Sequence, residues 1–163
     1  MYKRQTLSAA ALTDVLDRWI DPETTQPVVF SPQPTEGVSH APMLTKADGV
    51  LQWEKSSLSL FNLIRGVSAW PGGQTQISEG VLKVHSATSW TEEKLEKYLI
   101  EHPELEAAKP GEVLAITKQG PVIRCGEGAL LLTKIQRPSK QATSGGDFCR
   151  GYPLRLGSLL SDC

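Results

Sequence analysis

The 163-residue sequence contains no apolar run approaching the roughly 18 residues that a membrane-crossing helix needs. Its basic start, Met1 to Gln5, is not followed by an apolar segment of about 7–15 residues, so no signal peptide is expected. Cysteine is scarce: Cys125, Cys149 and Cys163 lie far apart, form no C-x-x-C pair and are odd in number. A disulfide framework and a structural zinc site are both disfavoured by that pattern, which suits thiols in a reducing compartment. His40, His85 and His102 are equally scattered and suggest no metal site. These features predict a cytoplasmic chain with no membrane partner.

Catalytic signatures are missing too. There is no Walker loop, no G-x-S-x-G and no H-E-x-x-H. Gly126-Glu127-Gly128 is followed by a strand-like segment rather than a helix N-terminus, so it reads as a turn and not as a dinucleotide fingerprint. His85 has no carboxylate nearby in sequence. No residue set supports general acid–base or nucleophilic catalysis, and no catalytic residue is assigned. No internal repeat or low-complexity run occurs.

What is present is a charge gradient. The net charge is −1, but residues 1–110 carry 10 Lys+Arg against 14 Asp+Glu, whereas residues 111–163 carry 7 against 4. A locally basic surface can bind a phosphate backbone even when the whole chain is nearly neutral. A mildly basic solvated face accounts for the same charge.

Leu12, Val15, Leu16, Trp19 and Ile20 recur at helical spacing, and Asp21-Pro22 ends that helix. Pro27, Pro32, Pro34 and Pro42 predict an extended linker next. Ser56 or Ser57 can cap a second helix with Leu60, Phe61, Ile64 and Val67 on one face and Arg65 on the other. This helix must stop before the turn Trp70-Pro71-Gly72-Gly73.

The pattern then becomes β-like. Strands are predicted at 74–78, from Val81 to Ala87, at 113–117, 122–125 and 129–135, with glycine turns at Gly80, Gly120 and Gly126-Glu127-Gly128. A charged helix over 91–108 interrupts them, with Leu95, Tyr98 and Leu99 as its narrow apolar stripe. The spacing Ser89-x-x-Glu92 predicts its capping box, and Pro103 breaks or ends it. One short helix is expected near Asp147 to Arg150. The fold class is therefore mostly β: a small antiparallel barrel preceded by a helix and an extended linker, with one inserted helix.

Several stretches, in order, resemble the methionyl-tRNA formyltransferase family. They are His40-Ala41-Pro42-Met43-Leu44-Thr45-Lys46-Ala47-Asp48-Gly49 with Trp53, Asn62-Leu63-Ile64-Arg65 with Trp70-Pro71-Gly72, Leu82-Lys83-Val84, Pro110-Gly111, Gly126-Glu127-Gly128-Ala129-Leu130, Ile135-Gln136 and Asp147-Phe148 with Gly151. The resemblance runs from about residue 40 to the C-terminus. Two positions depart from the family pattern: Gln52 stands where an Asp is usual, and Ser139-Lys140-Gln141 replaces a Gly-Lys-Lys run. The 91–108 helix has the character of an insertion.

The resemblance implies that residues 55–163 form an OB-like C-terminal domain, 23–54 a linker, and 1–22 a helical remnant of a missing N-terminal catalytic domain. It implies tRNA binding through the acceptor arm of initiator methionyl-tRNA, as a monomer. The chain itself is expected to bind no cofactor and to be inactive alone, 10-formyltetrahydrofolate being the full-length enzyme's formyl donor. The candidate tRNA-binding residues are Lys83, Lys118, Arg124, Lys134, Arg137 and Lys140. Arg65 and Trp70 are candidates for a domain junction. Two other readings stay open: a C-terminal module of a sugar-nucleotide or folate formyltransferase, and a stand-alone protein-interaction barrel.

Overall fold

A computed structural model describes residues 2–20, 31–32 and 34–161. The helix stop expected at Asp21-Pro22, Pro27 in the linker, and Cys163 lie outside the described residues. The chain divides into two compact units, Met1–Pro42 and Met43–Cys163.

In the first unit, α1 (Tyr2–Ile20) is a 19-residue helix. An Asp14–Arg18 ion pair spans one turn of it. Its apolar stripe is solvent-exposed, most of all Leu7, Trp19 and Ile20.

The second unit begins within the stretch read as linker. A 3-10 turn at Ala47–Gly49 forms where Asp48 accepts hydrogen bonds from the backbone N–H and hydroxyl of Thr45. Those bonds, the backbone one foremost, hold the Asp48 carboxyl below its ordinary pKa. Leu51 and Trp53 follow and are fully buried. Helix α2 (Ser57–Gly66) is capped by Ser56, whose hydroxyl accepts from the Ser59 N–H. Its Leu60 and Ile64 point into the core.

Six strands form one antiparallel sheet: β1 (Gly73–Ile77), β2 (Gly80–Trp90), β3 (Val113–Ile116), β4 (Pro121–Arg124), β5 (Ala129–Gln136) and β6 (Thr143–Ser144). The spatial order is β1-β2-β5-β4-β3, with β6 also on β5. The ladder is open, consistent with a small OB-like domain. The C-terminal segment spans its two edges: Leu159 bridges to Glu112 beside β3, and Ser161 bridges to Gln76 of β1. Edge N–H and C=O groups are satisfied there in the manner that full closure would satisfy them.

Two cores sit on opposite faces of this sheet. The inner core joins Leu51, Trp53, Leu60, Ile64, Leu82, Val84, Leu130, Leu132 and Ile135. The outer core joins Trp90, Leu114, Ala115, Val122, Ala129 and Leu131 to Leu95 of α3 (Glu92–Glu101). Ala129 to Leu132 are thus buried from both sides, which explains their uninterrupted apolar run. The inserted segment is a ten-residue helix followed by a 3-10 turn at Pro103–Leu105, rather than one helix over 91–108. Pro103 has no N–H to continue the α ladder.

Its cap also differs from the expected Ser89 box. Ser89 and Trp90 remain in β2, and Thr91 is the N-cap, accepting from the Lys94 N–H. Ser89 is engaged instead with the hydroxyl of Ser57 at 3.0 Å. The pull of the outer core on Trp90 keeps the strand going one residue past the apparent cap, and the cap itself moves two residues on, to Thr91.

Candidate nucleic-acid interface

The six strands carry Lys83, Arg124 and Lys134 and no aspartate or glutamate. The carboxylates of this unit lie in helices, turns and loops. The charged residues of the strands themselves are therefore all cations.

Register decides which lysines reach the sheet's outer face. Lys83 pairs with Gln136, and Lys134 with Ser86. By simple alternation Lys134 would share the inner face with Leu130 and Leu132. Register shifts at Val84/Ser86 and Ser86/Ala87 change this, leaving Thr133 as an extra residue on β5. After it Lys134 and Gln136 point outward while Ile135 takes the core position. Lys83 and Lys134 consequently stand exposed on the same face of neighbouring strands. His85 hydrogen-bonds Gln136 at 2.9 Å between them.

Lys118 lies on the exposed β3–β4 turn. That turn is closed by the Thr117 hydroxyl donating to the Gly120 carbonyl at 2.8 Å. Helix α4 (Gly145–Gly151) packs against it through glycine: a Cβ on Gly146 would sit 2.1 Å from the Lys118 carbonyl oxygen. Lys118 lines an open cleft of about 620 Å³ together with Lys94, Trp90, Gln119 and several hydroxyl residues. Lys94 lies on the inserted helix, outside the six candidate cations. Its proximity to Trp90, with the ammonium 4.6 Å from the ring centroid, is a tertiary relation with no local signal.

Arg137 and Lys140 line a smaller cleft of about 250 Å³ with Asp147 and Phe148. Arg137 is 3.7 Å from the Glu79 carboxylate and lies over the Tyr152 ring. The Ser144 hydroxyl, then the Arg150 guanidinium, hold the Asp147 carboxyl below its usual range. This cleft is thus of mixed charge. Arg124 is half-buried at the end of β4, paired with Ala129 and apart from the lysines on the β2–β5 face. Arg65 is exposed on α2 with its guanidinium over the Phe61 ring. Trp70 is 53% exposed and precedes a cis bond to Pro71.

No cluster of three or more metal-ligating side chains occurs among the described residues. Nor is any described helix long and apolar enough to cross a membrane. Burial pushes the Cys125 thiol up to about 12 and raises that of Cys149 as well, so neither is an activated nucleophile.

A small open antiparallel sheet with a capping helix of this kind is the fold of a formyl transferase C-terminal domain, and the comparisons with known proteins show that family. The family model "Formyl transferase, C-terminal domain" matches residues 43–153, and the chain belongs to that family. It is similar to the methionyl-tRNA formyltransferase of Natranaerobius thermophilus, 36% identical over 76% of this chain and 37% of the relative. The enzyme of the same name from Burkholderia pseudomallei is 31% identical over 95% of this chain and 44% of the relative. That from Gluconobacter oxydans is 34% identical over 79% and 38%. The chain therefore spans about two fifths of the length of the curated relatives it matches. Among solved structures, a HypX variant from Aquifex aeolicus shares the fold with a TM-score of 0.53 at 18% identity, over 86% of this chain and 23% of that one.

Proposed function

We propose that this chain is the tRNA-holding part of a methionyl-tRNA formyltransferase. It grips the acceptor arm of initiator methionyl-tRNA by its phosphates while the enzyme's catalytic part transfers a formyl group from 10-formyltetrahydrofolate to the methionyl amine. The observation that carries the reading is the sheet of a formyl transferase C-terminal domain whose strands bear cations and no carboxylate. Lys83 and Lys134 supply sequence-independent phosphate contacts, with Lys118 beside them. Such contacts set affinity and register rather than base choice. The partner is RNA, held by its backbone.

Fluorescence anisotropy with labelled tRNA at two or more salt concentrations tests this. Binding that weakens steeply with salt, and less steeply in Lys83→Ala/Lys134→Ala, is the expected result. Absence of binding at low salt overturns it in favour of a sugar-nucleotide or folate enzyme's module.

A further inference from the structure

We infer that the cleft between α3 and the β3–β4 turn is a phosphate-backbone site for an RNA strand, in which Lys94 and Lys118 act as a cation pair. The inference rests on the RNA-holding reading for its ligand and gives that reading a second location, built by the inserted helix.

Lys94 and Lys118 line it together with Thr88, Trp90, Gln119 and Ser144, and no carboxylate is among its lining residues. Neither lysine is in an ion pair among the described residues. Spare donors are present as well. The Trp90 side chain is only 7% exposed, and its indole N–H is buried with no hydrogen-bond partner. A buried donor left unanswered in this way costs free energy, and it lies in the residue that forms the cleft wall. The side chains of Thr88 and Gln119 also make no hydrogen bond among the described residues. A phosphodiester, with its acceptor oxygens and one negative charge, complements that set. By contrast, the Arg137–Lys140 cleft already contains Asp147.

Both lysines stand on fixed backbone. Thr91 caps α3, Leu95 anchors it in the outer core, and the Trp90 ring holds the Lys94 ammonium. The turn bearing Lys118 is closed by Thr117 and backed by Gly146. The Lys94 side chain is therefore already placed, and on Lys118 only the exposed side chain remains to be ordered on binding. The cleft also joins the lysine face: Ser144, in its wall, is the β6 partner of Lys134. A strand following the outer face would pass from Lys83 and Lys134 into the cleft. A free mononucleotide presents the same phosphate chemistry without that continuation.

The test is tRNA anisotropy against salt with the full chain and three exposed-lysine variants. Lys94→Ala/Lys118→Ala is expected to lower the slope of log affinity against log salt by about 2. Lys94→Arg/Lys118→Arg should restore most of it. Lys55→Ala, a lysine outside the cleft, should leave it unchanged. A wild-type slope in the Lys94→Ala/Lys118→Ala protein overturns the cleft while the RNA-holding reading stands. An equal drop from Lys55→Ala also overturns it, because the contacts are then diffuse. Failure of the wild-type chain to bind tRNA sinks the reading and the cleft together. AMP, added at constant ionic strength, should not displace tRNA at micromolar concentration; displacement that depends on Lys94 and Lys118 would make this a mononucleotide site and overturn the strand.

Discussion

Trp53 donates its indole N–H to the Thr75 hydroxyl at 3.0 Å, and that hydroxyl donates in turn to the Ser161 carbonyl at 2.8 Å. One fully buried side chain thus ties together three distant segments: the stretch before α2, strand β1 and the C-terminal segment that spans the sheet edges. Thr75→Val keeps the shape and removes both bonds. It leaves the Trp53 N–H unanswered in the core, while Ser161 keeps its bond from the Gln76 N–H. The expected loss is about 2 kcal/mol, from one buried unsatisfied donor. Thermal unfolding followed by circular dichroism checks it, and Thr75→Ser should retain most of the stability.

A second prediction concerns the β4–β5 turn. A Cβ on Gly126 would sit 1.9 Å from the Glu54 carbonyl oxygen, which is backbone and cannot rotate away. The Gly126 N–H also bonds the Trp53 carbonyl at 2.7 Å. Gly126→Ala must therefore push the segment carrying Trp53 out of register with the turn. A loss of at least about 2 kcal/mol is expected in urea unfolding. Gly66→Ala, at a helix position with open space around it, should change stability by less than about 1 kcal/mol in either direction.

The third prediction is a pH dependence. The Cys125 thiol is pushed from 9.0 to about 12 by burial, opposed only by the Arg124 charge. Below pH 9 the thiol is protonated in both folded and unfolded chains and contributes no slope. Between pH 9 and about 12 the unfolded chain releases its proton and the folded chain does not, so folding stability falls as pH rises. Tyr98, also raised, first by burial and then by Glu104 and Glu101, adds to the fall in the same direction. Stability of Cys125→Ala measured from pH 8 to 11 should fall less steeply than wild type. Equal slopes would show that the thiol is not shielded.

Much of this arrangement was readable from the residues. The five longer strands, their glycine turns and the Ser56 cap follow local rules of alternation, φ freedom and hydroxyl capping. What local rules could not reach was tertiary. Ser89 has the right spacing for a cap, but Trp90 is drawn into the outer core and moves the helix start to Thr91. The extra residue at Thr133 gives no sequence signal, yet it decides that Lys134 faces water. Leu51 and Trp53, at the end of the 23–54 stretch read as linker, are among the most buried side chains. Of the candidate cations, the structure gathers Lys83 and Lys134 on one face, puts Lys118 in the wall of a cleft that Lys94 also lines, and sets Arg137 beside carboxylates.

That last difference gives a graded prediction for RNA binding. Lys134 is exposed on a strand with no acidic neighbour, and its charge is fully available to a phosphate. Arg137 is 3.7 Å from Glu79 and rests over the Tyr152 ring, so part of its field is already offset and its side chain is already held. Lys134→Ala should lower the salt slope of tRNA binding by about 1. Arg137→Ala should lower it by clearly less, because a guanidinium already paired with Glu79 contributes little as a phosphate contact. Glu79→Gln should act in the opposite direction and tighten binding at low salt, freeing Arg137 for phosphate. Anisotropy titrations of the three variants at matched ionic strength decide the order. Equal effects of Lys134→Ala and Arg137→Ala would mean that the Glu79 pair does not persist in solution.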